Sequence, residues 1–154
     1  MTIIRLHDLL GLKELPANGL AWHDLLVQGL PPESLEAVAR YLGVEESDVA
    51  HLVLEGQAPA GARLSAHASN FLYRIAKALR ELEIALGGRM PEAALWLRNP
   101  QVALKGRIPI LLLQTQIGAD FVLAAISRMK PVPKPEPGYL AEADGDDDEA
   151  GQGD

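Results

Sequence analysis

Cysteine is absent from the 154 residues, and that one absence removes disulfide frameworks, thiolate zinc sites, iron-sulfur clusters and a cysteine nucleophile together. His7, His23, His51 and His67 remain as ligand candidates. They stand far apart, and none has a second histidine at the i, i+4 spacing that sets two imidazoles on one helical face, so no metal site is expected. Long apolar runs are missing too. Nothing approaches the roughly 20 residues of a bilayer span, and Met1–Leu20 carries Arg5, His7, Asp8, Lys13 and Glu14 where a signal peptide keeps its apolar stretch. The expectation is a soluble, cytoplasmic protein with no membrane partner. There is no Gly-rich phosphate loop, no nucleophile elbow and no pairing of a nucleophile with a base, so neither an enzyme nor a cofactor is expected.

What is present begins with charge. The net value of −7 is uneven: from Lys130 to Asp154 two lysines face eight acids, whereas the preceding 129 residues hold twelve Lys or Arg against thirteen acids. The acidity therefore belongs to the tail, and the rest is nearly neutral, with no basic footprint for nucleic acid. Residues 131–154 run from a Pro-rich stretch into a Gly/Asp/Glu run, too poor in apolar side chains to offset the entropy of ordering, and are read as disordered when free. Tyr139 and Leu140 are the only sizeable apolar side chains after Val132, hence the anchor if this segment docks. Two roles stay open for it: a solubility extension, or a carboxylate chain drawn to a cationic substrate pocket of a partner.

Upstream the periodicity is helical. Leu64, Ala68, Phe71, Leu72, Ile75, Leu79, Leu82 and Leu86 recur in steps of three and four, which makes one face of a long helix with Ser65 as N-cap and Gly87-Gly88 as its stop. Arg74, Lys77, Arg80, Glu81 and Glu83 then fall on a solvated face. Short helices are expected near His7–Lys13 and Leu20–Gln28, while Thr2–Leu6 fits helix and strand about equally. Pro91 suits a helix's first turn, Asn99-Pro100 must end that helix, Pro109 opens another through Leu113, and Gly118–Met129 forms the last, with Phe121, Val122, Ala125 and Met129 on one face. No βαβ alternation or internal repeat is visible. The fold class is all-α.

Ala39 to Leu52 resembles a helix-turn-helix: Ala39 permits close approach, Gly43 suits a left-handed turn, Val44 plugs the core, and Val49 and Leu52 face inward. The exposed start of the second helix would present Glu45, Glu46, Ser47, Asp48 and His51. It contains no Lys or Arg between Glu45 and Glu55, so phosphate contact lacks its usual cations. Ser47 and His51 are the candidate DNA-contacting residues, and either the element only packs or it reaches DNA weakly within an oligomer.

From Ala94 to Met129 the chain reads ALWLRNPQVALKGRIPILLLQTQIGADFVLAAISRM. Ala94, Trp96, Leu97, Asn99, Pro100, Ala103, Leu104, Gly106, Pro109, Leu112, Thr115, Gly118, Val122 and Ile126 resemble the toxin-binding domain of the Xre/MbcA/ParS antitoxins, and with the long helix and the helix-turn-helix the likeness spans roughly Leu30 to Met129. The acidic second helix and the extended tail depart from that family's pattern. The resemblance implies a helix-turn-helix unit over 1–63, a long helix and toxin-binding domain over 64–130, and a tail over 131–154. It further implies a RES-domain toxin that consumes NAD as partner, operator DNA bound as an oligomer or toxin complex, and a homodimer. Trp96, Asn99, Pro100, Leu104, Gly106, Pro109 and Gly118 are the toxin-binding positions it assigns, joined by Tyr139 and Leu140 if the tail docks. The same residues also have a plain structural account, in which Trp96, Leu97, Leu104, Leu112 and Phe121 are core and Asn99-Pro100 and Gly106 form turns. A stand-alone helix-turn-helix regulator and an oligomerising scaffold are the competing functional classes.

Overall fold

The computed structural model describes residues 3–54 and 63–129; the tail, with Tyr139 and Leu140, lies outside the described residues. Within these the regular elements are helices: α1 (Leu6–Leu9), α2 (Gly19–Gln28), α3 (Glu33–Leu42), α4 (Glu46–Leu54), α5 (Ala66–Ala85), α6 (Met90–Arg98), α7 (Pro109–Leu112) and α8 (Gln116–Met129), with a 3₁₀ turn at Val102–Leu104 between α6 and α7. The all-α expectation holds. A single isolated antiparallel bridge, Gln101 to Arg107, is the β-type pairing among the described residues.

Local chemistry sets most of the ends. Ser65 caps α5 as its spacing predicts, its hydroxyl oxygen accepting from the Ala68 N–H at 3.1 Å. Asn18 does the same for α2, accepting from Ala21 N–H at 2.9 Å. Pro91 lies in the first turn of α6 and Pro109 in that of α7, where a missing N–H costs nothing. The first helix is shorter than the expected His7–Lys13. It stops at Leu9, and Ile3 to Arg5 precede it without regular structure.

Helix α5 is the axis of the molecule, and α1, α2, α3, α4, α6 and α8 all pack on it. Its buried positions are Ala68, Ser69, Phe71, Leu72, Ile75, Ala76, Ala78, Leu79, Leu82 and Glu83. At roughly 100° per residue these span about half the circumference, far wider than the one stripe read from the sequence. Alanines and a serine within that arc let neighbouring helices approach closely. The apolar positions of α3 and α4 (Leu35, Val38, Ala39, Leu42, Val49, Val53) join the same continuous core as those of α6 and α8 (Leu97, Val122, Ile126).

Two members of the supposed solvated face of α5 have other duties. Glu83 is 2% exposed, and its carboxylate accepts the Ile4 N–H at 2.9 Å, fastening the N-terminal segment. Arg74 reaches to the carbonyls of Leu113 and Gln114, both at 3.3 Å, holding the turn before α8. Burial pushes its guanidinium below its ordinary pKa, although arginine stays charged in proteins. Expecting these two side chains in free solvent was wrong, because each serves a backbone group that a distant segment leaves open.

Two buried serines fasten the connections in the same manner. Ser34 donates its hydroxyl to the Leu10 carbonyl at 2.6 Å, and Ser69 accepts the buried Leu30 N–H at 2.8 Å. Neither is recognisable as structural from the sequence. Ser69→Ala strands the Leu30 N–H away from water, so a loss of about 1–3 kcal/mol is expected; urea unfolding of the variant beside the parent chain measures it, and an unchanged midpoint contradicts the role.

Candidate functional site

Beyond Arg98 the chain cannot continue as a helix, since the residue before proline is pushed into extended conformation, and Asn99 has φ −122° and ψ 151°. The last carbonyls of α6 then need partners. Asn99 supplies one by donating its side-chain N–H to Leu95 O at 2.7 Å, and Gln101 donates to Trp96 O at 2.9 Å and Asn99 O at 3.1 Å. Backbone pairing of Gln101 with Arg107 closes the loop around the 3₁₀ turn. Its return requires left-handed backbone at Lys105 (φ 59°) and Gly106 (φ 82°). Leu104 is buried beneath this loop, while Val102 stands 95% exposed on it.

The next corner is tighter. Pro109 starts the one-turn α7, and Thr115 caps α8 by accepting the Gly118 N–H on its hydroxyl oxygen at 3.0 Å. A Cβ on Gly118 would lie 1.9 Å from the Leu112 carbonyl oxygen. Only glycine lets α8 sit against the end of α7, and that contact sets the rotation of α8 about its own axis. Val122, Ala125 and Ile126 turn inward as a result. Phe121, expected on the same buried face, is 64% exposed, and Ile117 one turn before it is 73% exposed.

The positions implied by the resemblance therefore separate by role. Leu104, Pro109 and Gly118 are buried, Trp96 is half-buried, and Asn99, Pro100 and Gly106 are exposed. Leu95, Trp96, Asn99 and Gln101 line one shallow cleft with Leu86 and Glu92. Most of the apolar side chains left to solvent nearby were missed in the sequence: Leu95, Val102, Leu111 and Ile117, with Phe121 misassigned to the core. Anchoring the wheel of α8 on Gly118, Val122 and Ile126 and asking what falls outside the inward arc would have exposed Ile117 and Phe121.

Beside α6, Gly43 adopts the left-handed conformation (φ 73°) between α3 and α4, Ala39 and Val49 are buried, and Val44 and Leu52 are half-buried. Ser47 and His51 are exposed on α4. Asp48 is bound into the turn: its carboxylate accepts the Glu45 N–H at 3.2 Å, so this acid caps its own helix. A cleft of about 300 Å³ runs between this pair and the α6–α7 region, lined by Leu42, Val44, Val49, Leu52, Ile108 and Leu111. Arg98 lies at its edge with its Nε buried and unbonded. Among the described residues no group of His, Asp or Glu is arranged to hold a metal ion.

These features define a helical binding module, with rigid, capped turns that present apolar side chains. Residues 81–130, from the last turn of α5 onward, match the family model of the antitoxin Xre/MbcA/ParS C-terminal toxin-binding domain. This third of the chain is thus similar to the toxin-binding domain of the Xre/MbcA/ParS antitoxins. The match covers the α6–α8 motif and leaves the α3–α4 pair outside it. No curated protein matches the chain.

Gly118→Ala is expected to destabilise the fold by about 1–3 kcal/mol, since the methyl group meets backbone and cannot be absorbed by a side-chain rotation. Thermal unfolding checks this, and an unaltered melting temperature would mean the α7–α8 contact is looser than described.

Proposed function

We propose that this chain is an antitoxin that neutralises a RES-domain toxin that degrades NAD, binding it through the α6–α8 region and closing its substrate site. The toxin-binding assignment follows from the family match over 81–130, while the RES class rests on the resemblance of the Ala94–Met129 motif. One observation carries the reading further than the match alone. Of the nine large apolar side chains exposed among the described residues, six (Ile84, Leu95, Val102, Leu111, Ile117 and Phe121) lie within the matched segment. Large apolar side chains left exposed on a segment similar to a toxin-binding domain suit that segment for a protein interface.

The positions named for contact divide accordingly. Asn99, Pro100, Gly106 and the rim of Trp96 face outward and can meet the toxin, whereas Leu104, Pro109 and Gly118 act by holding the surface in shape. No catalytic role is assigned to any residue. The toxin is the enzyme of the pair, and the antitoxin needs only to occupy space over its pocket. The tail, by its composition, is suited to carry carboxylates toward a site that binds the NAD pyrophosphate.

The α3–α4 pair serves operon control only when multiplied, in a homodimer or in the toxin complex. The exposed start of α4 offers Glu45, Glu46 and Asp48 toward any phosphate, and only Ser47 and His51 as neutral contacts. A stand-alone DNA-binding regulator is the weaker reading for that reason.

Co-expression with a RES-domain protein, taken from the neighbouring reading frame where one is encoded there, tests the main reading. Cells making that protein alone are expected to lose NAD and stop growing, and cells making both are expected to keep both; equal loss in the two strains rejects the proposal. For DNA, the isolated protein is expected to bind its own promoter fragment weakly at physiological salt. The toxin complex should bind more tightly, with affinity falling about 0.9 log unit per log unit of salt for each phosphate neutralised. Tight sequence-specific binding by a monomer contradicts this.

A further inference from the structure

The solvent half of α8 is divided lengthwise. With Val122 at the centre of the buried arc, a step of roughly 100° per residue places Gln116, Asp120 and Ser127 on one outward flank and Ile117, Phe121, Ala124 and Arg128 on the other. All seven are exposed. The first flank is an ordinary solvated surface, with the Gln116 amide donating to the Asp120 carboxylate across one turn at 2.9 Å. The second is an apolar strip whose two large side chains, Ile117 and Phe121, are 73% and 64% exposed. The 3₁₀ turn that carries exposed Val102 packs against the same helix.

We propose that the Ile117–Phe121–Ala124 strip of α8 is the surface that seats in an apolar groove of the toxin, with an acidic group of the toxin meeting Arg128. This rests on the reading of the chain as a toxin-binding antitoxin and assigns that function to one helix face. Two observations favour the toxin over a second copy of this chain. The strip lies wholly inside the segment that matches the toxin-binding domain. Its only charge is Arg128, and a two-fold pairing of two antiparallel copies of α8 centred on Phe121 would set Arg128, seven residues on, against Gln114, seven residues back. No carboxylate answers it there. A different protein can place an acid at that end, which fixes the direction in which the helix lies in the groove.

The strip is read by calorimetry of the full chain against a catalytically inactive form of the RES-domain protein used in the co-expression test. The pair Ile117→Glu with Phe121→Glu is expected to weaken binding at least a hundredfold, and Arg128→Glu about tenfold, with the Arg128 effect shrinking as salt rises. A pair on the opposite flank, Asp120→Lys with Ser127→Glu, is expected to bind as the parent does. Circular dichroism and melting temperature should match the parent throughout, since every altered side chain is exposed. Phe121→Ala, expected to weaken binding about tenfold, removes only exposed area and serves if the charged pair disturbs folding. Parental affinity in the strip variants overturns the assignment while leaving the antitoxin reading intact. So does a strip variant that dissociates a dimer of the free chain in sedimentation yet still binds the toxin fully, because the strip then belongs to the second copy. Failure of the parent chain itself to bind the RES-domain protein removes the partner reading and this assignment with it.

Discussion

Half the circumference of α5 has to be kept from water, and the other helices are arranged to do it. Leu72, Ile75, Leu79 and Leu82 are fully buried, each such side chain contributing about 1.5–3 kcal/mol relative to exposure. The α3–α4 pair and the α6–α8 region meet on that helix, and their apolar positions form one continuous core. The exposed surface of the α6–α8 region is therefore held by the same core that holds the α3–α4 pair.

The surface that follows α6 is held in shape for a separate reason. Residues 99–107 make an irregular loop whose polar groups are satisfied at close range: Asn99 and Gln101 take up the carbonyls of α6, Gln101 pairs with Arg107, and Arg74 holds the turn before α8 from across the molecule. A loop so tied loses little entropy when a partner binds, and its exposed side chains are positioned beforehand. Buried Leu104, Pro109 and Gly118 hold that surface in shape from beneath.

The α3–α4 pair shows how one residue can satisfy a local demand against a functional one. Asp48 is a good residue for capping α4 and for meeting the positive end of its dipole. It is a poor residue for meeting DNA. With Glu45 and Glu46 beside it, the start of α4 gains local stability at the expense of phosphate affinity.

Much of the architecture was legible because it depends on nearest neighbours. The 3.6-residue period of the α5 apolar positions, Ser65 at its cap, the Asn99-Pro100 break, Pro109 at the start of α7 and Gly43 in its left-handed turn are decided by backbone geometry within a few residues, and the sequence alone determined them, together with the helical class and the family of the α6–α8 motif. Rotation of a helix about its axis is not a local property. Phe121 was read as core from its spacing to Val122 and Ala125, but the contact of Gly118 with the Leu112 carbonyl turns α8 so that Phe121 and Ile117 face solvent. Glu83 and Arg74 likewise left the solvated face of α5 because backbone groups far away in the chain, the Ile4 N–H and the Leu113 and Gln114 carbonyls, needed partners. Which polar side chain answers a distant open hydrogen bond, and which apolar one is left outside for a partner, was decided only when the helices packed, since both depend on what lies opposite in space.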